Sequence, residues 1–309
     1  MIQQAEVVMT ALHSFRFLSG AQVARLFFAR AADGVTERAS RRAMQRAANE
    51  MCLARLKDRG LVELMPAIVT PASGVWERRE VNILTRQGSD RVRAWHKAEG
   101  APWAQRSAGT VRDYRWATIN ELYWIIDAAT AIVAGAERED IALVEWLDKF
   151  DAAGKGRGKP GDKRKETPFP FVEPDGYLLL RRDGVGIPLF LESDRDTEPV
   201  ESRSPNAWVR KIERYGELLR WWHRTYPHNV QPLVLTVTTT ALRLKNLRTA
   251  TETLGGRDAY WFTTEDALAT PKDLALPFPD ALGPIWAVPH NDTPHSLRDH
   301  LTRPRRRAA

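Results

Sequence analysis

Apolar positions in this chain recur first at helical spacing, then at alternate residues, and the changes of period mark its elements. Ile2, Val7, Val8, Ala11, Leu12 and Phe15 form one stripe, which predicts a helix over residues 2–17. Ser19 is placed to cap a second helix, 21–28. An Asp33-Gly34 turn leads to a third helix from about 38 to 59, stopped by Gly60 as its C′ residue. Leu61 to Leu64 reads as a strand, Pro71 to Gly74 as a turn and Trp76 to Leu84 as a returning strand. Leu84-Thr85-Arg86-Gln87-Gly88 then opens a further helix. After a Pro- and Trp-containing linker at 100–110, a long helix is predicted over 111–134, with Trp116, Ile119, Leu122, Tyr123 and Ile126 on one side.

The second half of the chain changes rhythm. Residues 141–147 read as a strand, and the runs Tyr177 to Leu180 and Ile187 to Leu191, separated by Asp183-Gly184, read as a hairpin. Trp208, Ile212, Tyr215, Leu218, Leu219 and Trp222 predict an amphipathic helix, and 232–237 a further strand. Thr239 or Thr240 can cap a helix over 241–254, on which Arg243, Lys245 and Arg248 are expected to share a basic face. Tyr260 to Phe262 and Ile285 to Val288 complete the strands. The expected fold is α/β (α+β). A winged helix-turn-helix occupies residues 1–99, and residues 111–309 carry the α-β-β-β-α-β order of the PD-(D/E)xK core, a mixed sheet flanked by helices.

Charge points to a polyanion. The 309 residues hold 46 Lys and Arg against 39 Asp and Glu, and the pI is near 9.7. The third helix carries Arg38, Arg41, Arg42, Gln45, Arg46 and Asn49, side chains suited to base edges and phosphates in a major groove, although such a run also suits a solvated face. Arg78 and Arg79 on the wing could reach the minor groove or the DNA backbone. The Gly- and Pro-rich loop 154–165 adds Lys155, Arg157, Lys159, Lys163, Arg164 and Lys165, which could clamp phosphates or serve as a bland insertion. The tail around Arg305 to Arg307 reads as a basic, solvated terminus.

The same composition removes several classes. Cys52 is the single cysteine, so no internal disulfide is available, and a reducing cytosol is the expected compartment. No apolar run has the length of a membrane span. The seven histidines lack His-apolar-His spacing, and no phosphate-binding Gly-x-x-x-x-Gly-Lys loop occurs.

Candidate chemistry centres on the hairpin. Asp175 opens its first strand, while Glu192 and Asp194 close the second, two residues apart and on one face. Three such carboxylates suit Mg²⁺ or Mn²⁺. Glu145 is more readily an edge-strand surface residue than a fourth. Pro174-Asp175 and Glu192 resemble the PD-(D/E)xK nuclease motif, but Asp194 stands where that motif has lysine. Lys211, in a Lys-x-x-x-Tyr pattern on the following helix, is the candidate for a relocated amine.

The order of these features, with Leu-Glu-Ser-Asp-Arg at 191–195, resembles the replication-relaxation family, which includes MobC-type plasmid relaxases. That resemblance implies a plasmid or mobile-element protein that binds double-stranded DNA at an origin of replication or transfer. Its active members nick one strand, with Asp175, Glu192, Asp194 and Lys211 as the site here. Coupling or replication proteins are the implied partners, and a homodimer is left open. The alternative is a non-catalytic replication, relaxosome or transcription factor with a degenerate nuclease fold.

Overall fold

A computed structural model describes residues 2–32, 52–71, 74–98, 111, 114, 116–152, 169–196, 199–202, 207–226, 230–269 and 278–303. Within them the protein is mixed α/β, with ten helices and two sheets. Two compact units meet in sequence between Ala134 and Gly135. Loop 154–165, linker 100–110 and the third-helix residues Arg38, Arg41, Arg42, Gln45, Arg46 and Asn49 lie outside the described residues.

The first unit opens with α1 (Ile2–Phe15), which ends two residues before the predicted limit because Arg16 takes a left-handed φ of 67°. A strand not anticipated from the sequence follows, β1 (Phe17–Ser19). Ser19 then caps α2 (Gly20–Ala32): its Oγ accepts the Gln22 N–H at 3.2 Å, and the Gln22 side chain accepts the Ser19 N–H in return at 2.9 Å. This is a reciprocal capping box with glutamine at the third position.

Within the range of the third predicted helix the described residues include α3 (Ala54–Asp58), closed by Gly60 at φ 66° with the Gly60 N–H on the Lys57 carbonyl. Strands β2 (Val62–Val69) and β3 (Glu77–Leu84) form an antiparallel hairpin, longer on its first side than expected. The sheet order is β1-β3-β2.

Thr85 starts α4 (Arg86–Ala98): its Oγ1 accepts the Gly88 N–H at 3.1 Å and donates to the Gly60 carbonyl at 2.6 Å. The glycine of this Leu-Thr-x-x-Gly segment is required by space, since a Cβ on Gly88 would lie 2.1 Å from the Leu61 carbonyl oxygen. Helix α5 (Trp116–Arg138) outruns its predicted end by about a turn. In this unit its Asp127 is buried, accepting from Gln22 Nε2 at 3.1 Å and lying 3.6 Å from Arg25.

The second unit is organised by a seven-stranded sheet in the order β10-β9-β8-β7-β6-β5-β4. Strand β4 (Ala142–Asp148) lies at one edge and leaves Glu145 exposed on it, and a short helix α6 (Lys149–Ala152) follows. Strands β5 (Gly176–Arg182) and β6 (Val185–Asp194) make the predicted hairpin, turned by Asp183 and Gly184 at φ 50° and 77°. Helix α7 (Trp208–Thr225) returns the chain to β7 (Leu233–Thr238), parallel to β6. Helix α8 (Ala241–Thr253) then leads to β8 (Tyr260–Thr264), parallel to β7, and to the short α9 (Glu265–Leu268).

Central strands β6 and β7 are buried at consecutive positions, residues 187–192 in one and Leu233–Thr238 in the other, as expected for strands covered on both faces. Phe190 sits at the middle of the core, its ring centroid 5.0 Å from Phe169, 5.2 Å from Tyr177 and 5.9 Å from Tyr215. Strand β9 (Pro284–Val288) matches expectation. Strand β10 (Asn291–Ser296) and helix α10 (Leu297–Thr302) were not anticipated, because β10 is a polar edge strand with Pro294 inside it.

The Gly88 packing gives a direct test. Alanine in an open helix would gain about 1 kcal/mol over glycine, but here its methyl meets a backbone oxygen that cannot rotate away. Gly88→Ala is expected to lower the free energy of urea unfolding by about 2 kcal/mol.

Candidate functional site

The register of the hairpin decides which side chains meet. Gly176 pairs with Leu191, so Asp175 and Glu192 stand opposite each other across β5 and β6 and share a face. Asp175 closes this end of the pair, its Oδ2 accepting the Ser193 N–H at 2.9 Å. Glu192 lies on a strand paired on both sides, opposite Thr236 of β7, and is 2% exposed.

Helix α7 supplies the groups that tolerate a carboxylate there. Lys211 and Tyr215 are four residues apart and therefore project from one side of the helix. Lys211 Nζ is 3.0 Å from Glu192 Oε2, while the Tyr215 hydroxyl donates to Oε1. The helix is oriented for this by its buried stripe of Trp208, Ile212, Tyr215 and Leu218.

Burial dominates the acid chemistry. It pushes Glu192 up to about 7 against the pull of Lys211, and nearby Asp175 pushes the same way as burial. Burial and the neighbouring Glu192 hold Tyr215 well above the ordinary tyrosine range, so it keeps its proton and acts as a donor.

Asp194 has different company. Arg243, the third residue of α8, forks onto it with Nε to Oδ1 at 2.9 Å and Nη2 to Oδ2 at 2.8 Å. The same guanidinium reaches Asp196 at 3.2 Å. Its backbone is fixed by the helix cap, since Thr240 Oγ1 accepts the Arg243 N–H at 3.1 Å. Arg195 ion-pairs with Glu265 at the start of α9. Along the Glu-x-Asp-Arg run, positions 192, 194 and 195 are thus tied to α7, α8 and α9 in turn.

Of the four residues predicted as one site, Asp175, Glu192 and Lys211 come together, and Asp194 is bound to Arg243 beside them. Among the described residues no group of three or more His, Cys, Asp or Glu gathers as a metal site. The basic face expected on α8 does not form, since Arg243 is buried on Asp194 and Arg248 is taken by Glu252 and Asp292. On β3, Arg78 is exposed, whereas Arg79 is held by Glu77 at 3.0 Å and by the Tyr123 hydroxyl at 3.3 Å.

Sequence reasoning had Tyr215 only on the apolar stripe and in the Lys-x-x-x-Tyr pattern, read Arg243 as part of a basic face, and did not single out Glu265. The four-residue spacing from Lys211 could have revealed the first. The other two belong to helices whose approach to β6 depends on the sheet order.

A family model described as replication-relaxation matches residues 9–234, about three-quarters of the chain. The chain belongs to the replication-relaxation family. Membership suggests a role in the replication or relaxation of a plasmid or mobile element and implies interaction with DNA. The span of this replication-relaxation match takes in Asp175, Glu192, Lys211 and Tyr215, and ends before Arg243 and Glu265. No match was found among curated proteins or among solved structures. Among the described residues no helix is long and apolar enough to cross a membrane.

Two measurements follow. A carboxyl that keeps its proton up to about pH 7 when folded, but loses it near 4.5 when unfolded, makes stability fall as pH rises across that window. In EDTA buffer the wild type is expected to lose on the order of 3 kcal/mol between pH 4.5 and 7 from this group, and Glu192→Gln to flatten the profile. Arg243→Met, which leaves Asp194 buried without its cation, is expected to cost about 3 kcal/mol. Adding Asp194→Leu to Arg243→Met should recover part of that loss in the same unfolding assay.

Proposed function

We propose that this protein binds double-stranded DNA at a replication or transfer origin of a plasmid or mobile element and nicks one strand there in a metal-dependent reaction. The observation that carries the reading is the contact of Lys211 with Glu192, 3.0 Å, on the strand end that also bears Asp175. It is the arrangement expected of a PD-(D/E)xK site whose lysine has moved from the strand to the next helix. The strand and helix order around it, α5-β4-β5-β6-α7-β7 with the short α6 inserted, is the order that such a core uses.

The donor set fits a hard divalent cation of the Mg²⁺ or Mn²⁺ type. Asp175 and Glu192 would hold it, with substrate phosphate and water completing the shell, since such ions are commonly bound by one or two carboxylates. When bound, the ion supplies Lewis acidity toward a phosphodiester. Lys211 places a positive charge where charge accumulates on the phosphoryl oxygens or the attacking water, and Tyr215 fixes the Glu192 carboxylate. In this reading Asp194 is structural, its charge spent on Arg243.

Site choice is assigned to the first unit. Support comes from the antiparallel hairpin β2 and β3 following a capped α2, with the short β1 completing the sheet, as in a winged helix. Arg38, Arg41, Arg42, Gln45, Arg46 and Asn49 would read the major groove, with Arg78 on the wing and the cations of loop 154–165 on phosphates.

A second reading, a non-catalytic origin-binding or relaxosome factor, is favoured by the neutralisation of Asp194, which leaves two carboxylates where three were expected. The two are separated by incubating the protein with a supercoiled plasmid carrying the DNA that flanks its own gene. Open circles are expected with Mg²⁺ or Mn²⁺ and none with EDTA, and Lys211→Ala is expected to slow nicking about 100-fold or more while retaining binding. Binding without nicking would select the second reading, and neither binding nor nicking would remove both.

A further inference from the structure

On the face of the sheet that carries Glu192, a buried hydroxyl is unpartnered among the described residues. Thr236 lies on the central strand β7, is 0% exposed, and its Oγ1 makes no hydrogen bond to any described residue. Hiding a hydroxyl from water without a partner costs stability, and valine would fill the same space without that cost. In this arrangement the hydroxyl adds nothing to the fold. The next residue on the same face is engaged, since Thr238 Oγ1 lies 3.5 Å from Asp194 Oδ1.

The strand register says what stands next to that hydroxyl. Thr236 pairs with Glu192 of β6 on one side and with Phe262 of β8 on the other, so the three side chains share a face. Phe262 is apolar, which leaves the Glu192 carboxylate as the polar side chain across the ladder. Paired strands lie about 4.8 Å apart, so rotation about side-chain bonds, with no backbone shift, is enough to join hydroxyl and carboxylate. That carboxylate is now served from α7, by Lys211 on Oε2 and by Tyr215 on Oε1. The Tyr215 hydroxyl has one hydrogen, already committed to Oε1. When Lys211 turns to a phosphodiester, Oε2 of a carboxylate only 2% exposed loses its donor.

We infer that Thr236 is a positioning residue whose hydroxyl replaces Lys211 on Glu192 when the lysine engages substrate, and so holds the carboxylate in place through the change. The inference rests on the nicking reading for the event that draws Lys211 away, and on the register for the bond that takes its place. Threonine suits this task. Its hydroxyl hydrogen rotates to suit an acceptor, its β-branched shape belongs on a strand, and it brings no charge that would compete with a divalent cation for Glu192.

A double-mutant cycle read by urea unfolding of the full chain in EDTA tests it, together with nicking of the supercoiled plasmid. Thr236→Val alone is expected to leave the unfolding constant within about twofold of wild type, or to lower it. In the Lys211→Ala background, where the hydroxyl is the replacement donor, the same substitution is expected to raise the unfolding constant about tenfold. With Mg²⁺, Thr236→Val is expected to lower kcat for nicking about tenfold at unchanged KM, and Thr236→Ser, which keeps the hydroxyl, to restore it. Equal effects of Thr236→Val with and without Lys211 would overturn the inference. So would a Thr236→Val protein that nicks at the wild-type rate, or a loss that Thr236→Ser does not restore. A wild type that nicks nothing yet shows the tenfold coupling would remove the nicking reading and keep Thr236 as the alternate donor to Glu192.

Discussion

A carboxylate at the buried end of a central strand is the constraint around which the second unit is built. β6 has neighbours on both sides and helices over its face, so Glu192 is only 2% exposed. A carboxyl so placed must either hold its proton or be given donors. The structure does some of each: burial raises its affinity for the proton, while Lys211 and Tyr215 offset part of that rise. The two donors come from one helix at one-turn spacing, so the requirement fixes the rotation of α7. Rotation about its axis by even one residue would carry both away together. The aromatic core around Phe190 and Tyr215 therefore aims the site.

The neighbouring acid shows how differently the same residue class can be used. Asp194 is also nearly buried, yet a guanidinium meets it in the forked geometry that satisfies both oxygens, and the arginine is itself pinned by a helix cap. A carboxylate whose lone pairs are engaged in this way is a poor candidate for further ligands, whatever its distance from Asp175. Electrostatic accessibility, more than proximity, separates Glu192 and Asp175 from Asp194. The pair formed by Arg195 and Glu265 extends the same pattern to α9, so three helices are stapled to three of the four residues 192–195 at one strand end. Each staple has a desolvation cost, and together they define one position for that strand end, which an apolar core of the same volume would not do.

Much of this was legible in the residue pattern because it depends on local rules. Asp183-Gly184 demanded a tight hairpin, the hairpin's length put position 175 against 192, and the apolar spacing of α7 put Lys211 and Tyr215 on the side that faces them. What could not be read depends on sheet order. Arg243 looked like one of three cations on an exposed helix face, since nothing local says that α8 approaches the end of β6. Its burial follows from β7 lying parallel to β6, which brings the start of the next helix over the neighbouring strand end. β1 was missed for a different reason: three residues are too few to show alternation. β10 was missed because a polar edge strand has no apolar face to announce it.

The family match and the staples divide the chain in an informative way. Everything assigned a direct chemical role, Asp175, Glu192, Lys211 and Tyr215, lies within residues 9–234, as does the whole of the first sheet. Arg243 and Glu265 lie beyond it, and so does β8, which covers the open side of β7. A chain ended at the limit of the match would hold all four chemical groups, but β7 would become a truncated edge and Asp194 a buried charge without its cation. The residues that could act and the residues that make their placement affordable are thus contributed by different stretches of sequence. The second stretch can be recognised only through the ion pairs it completes.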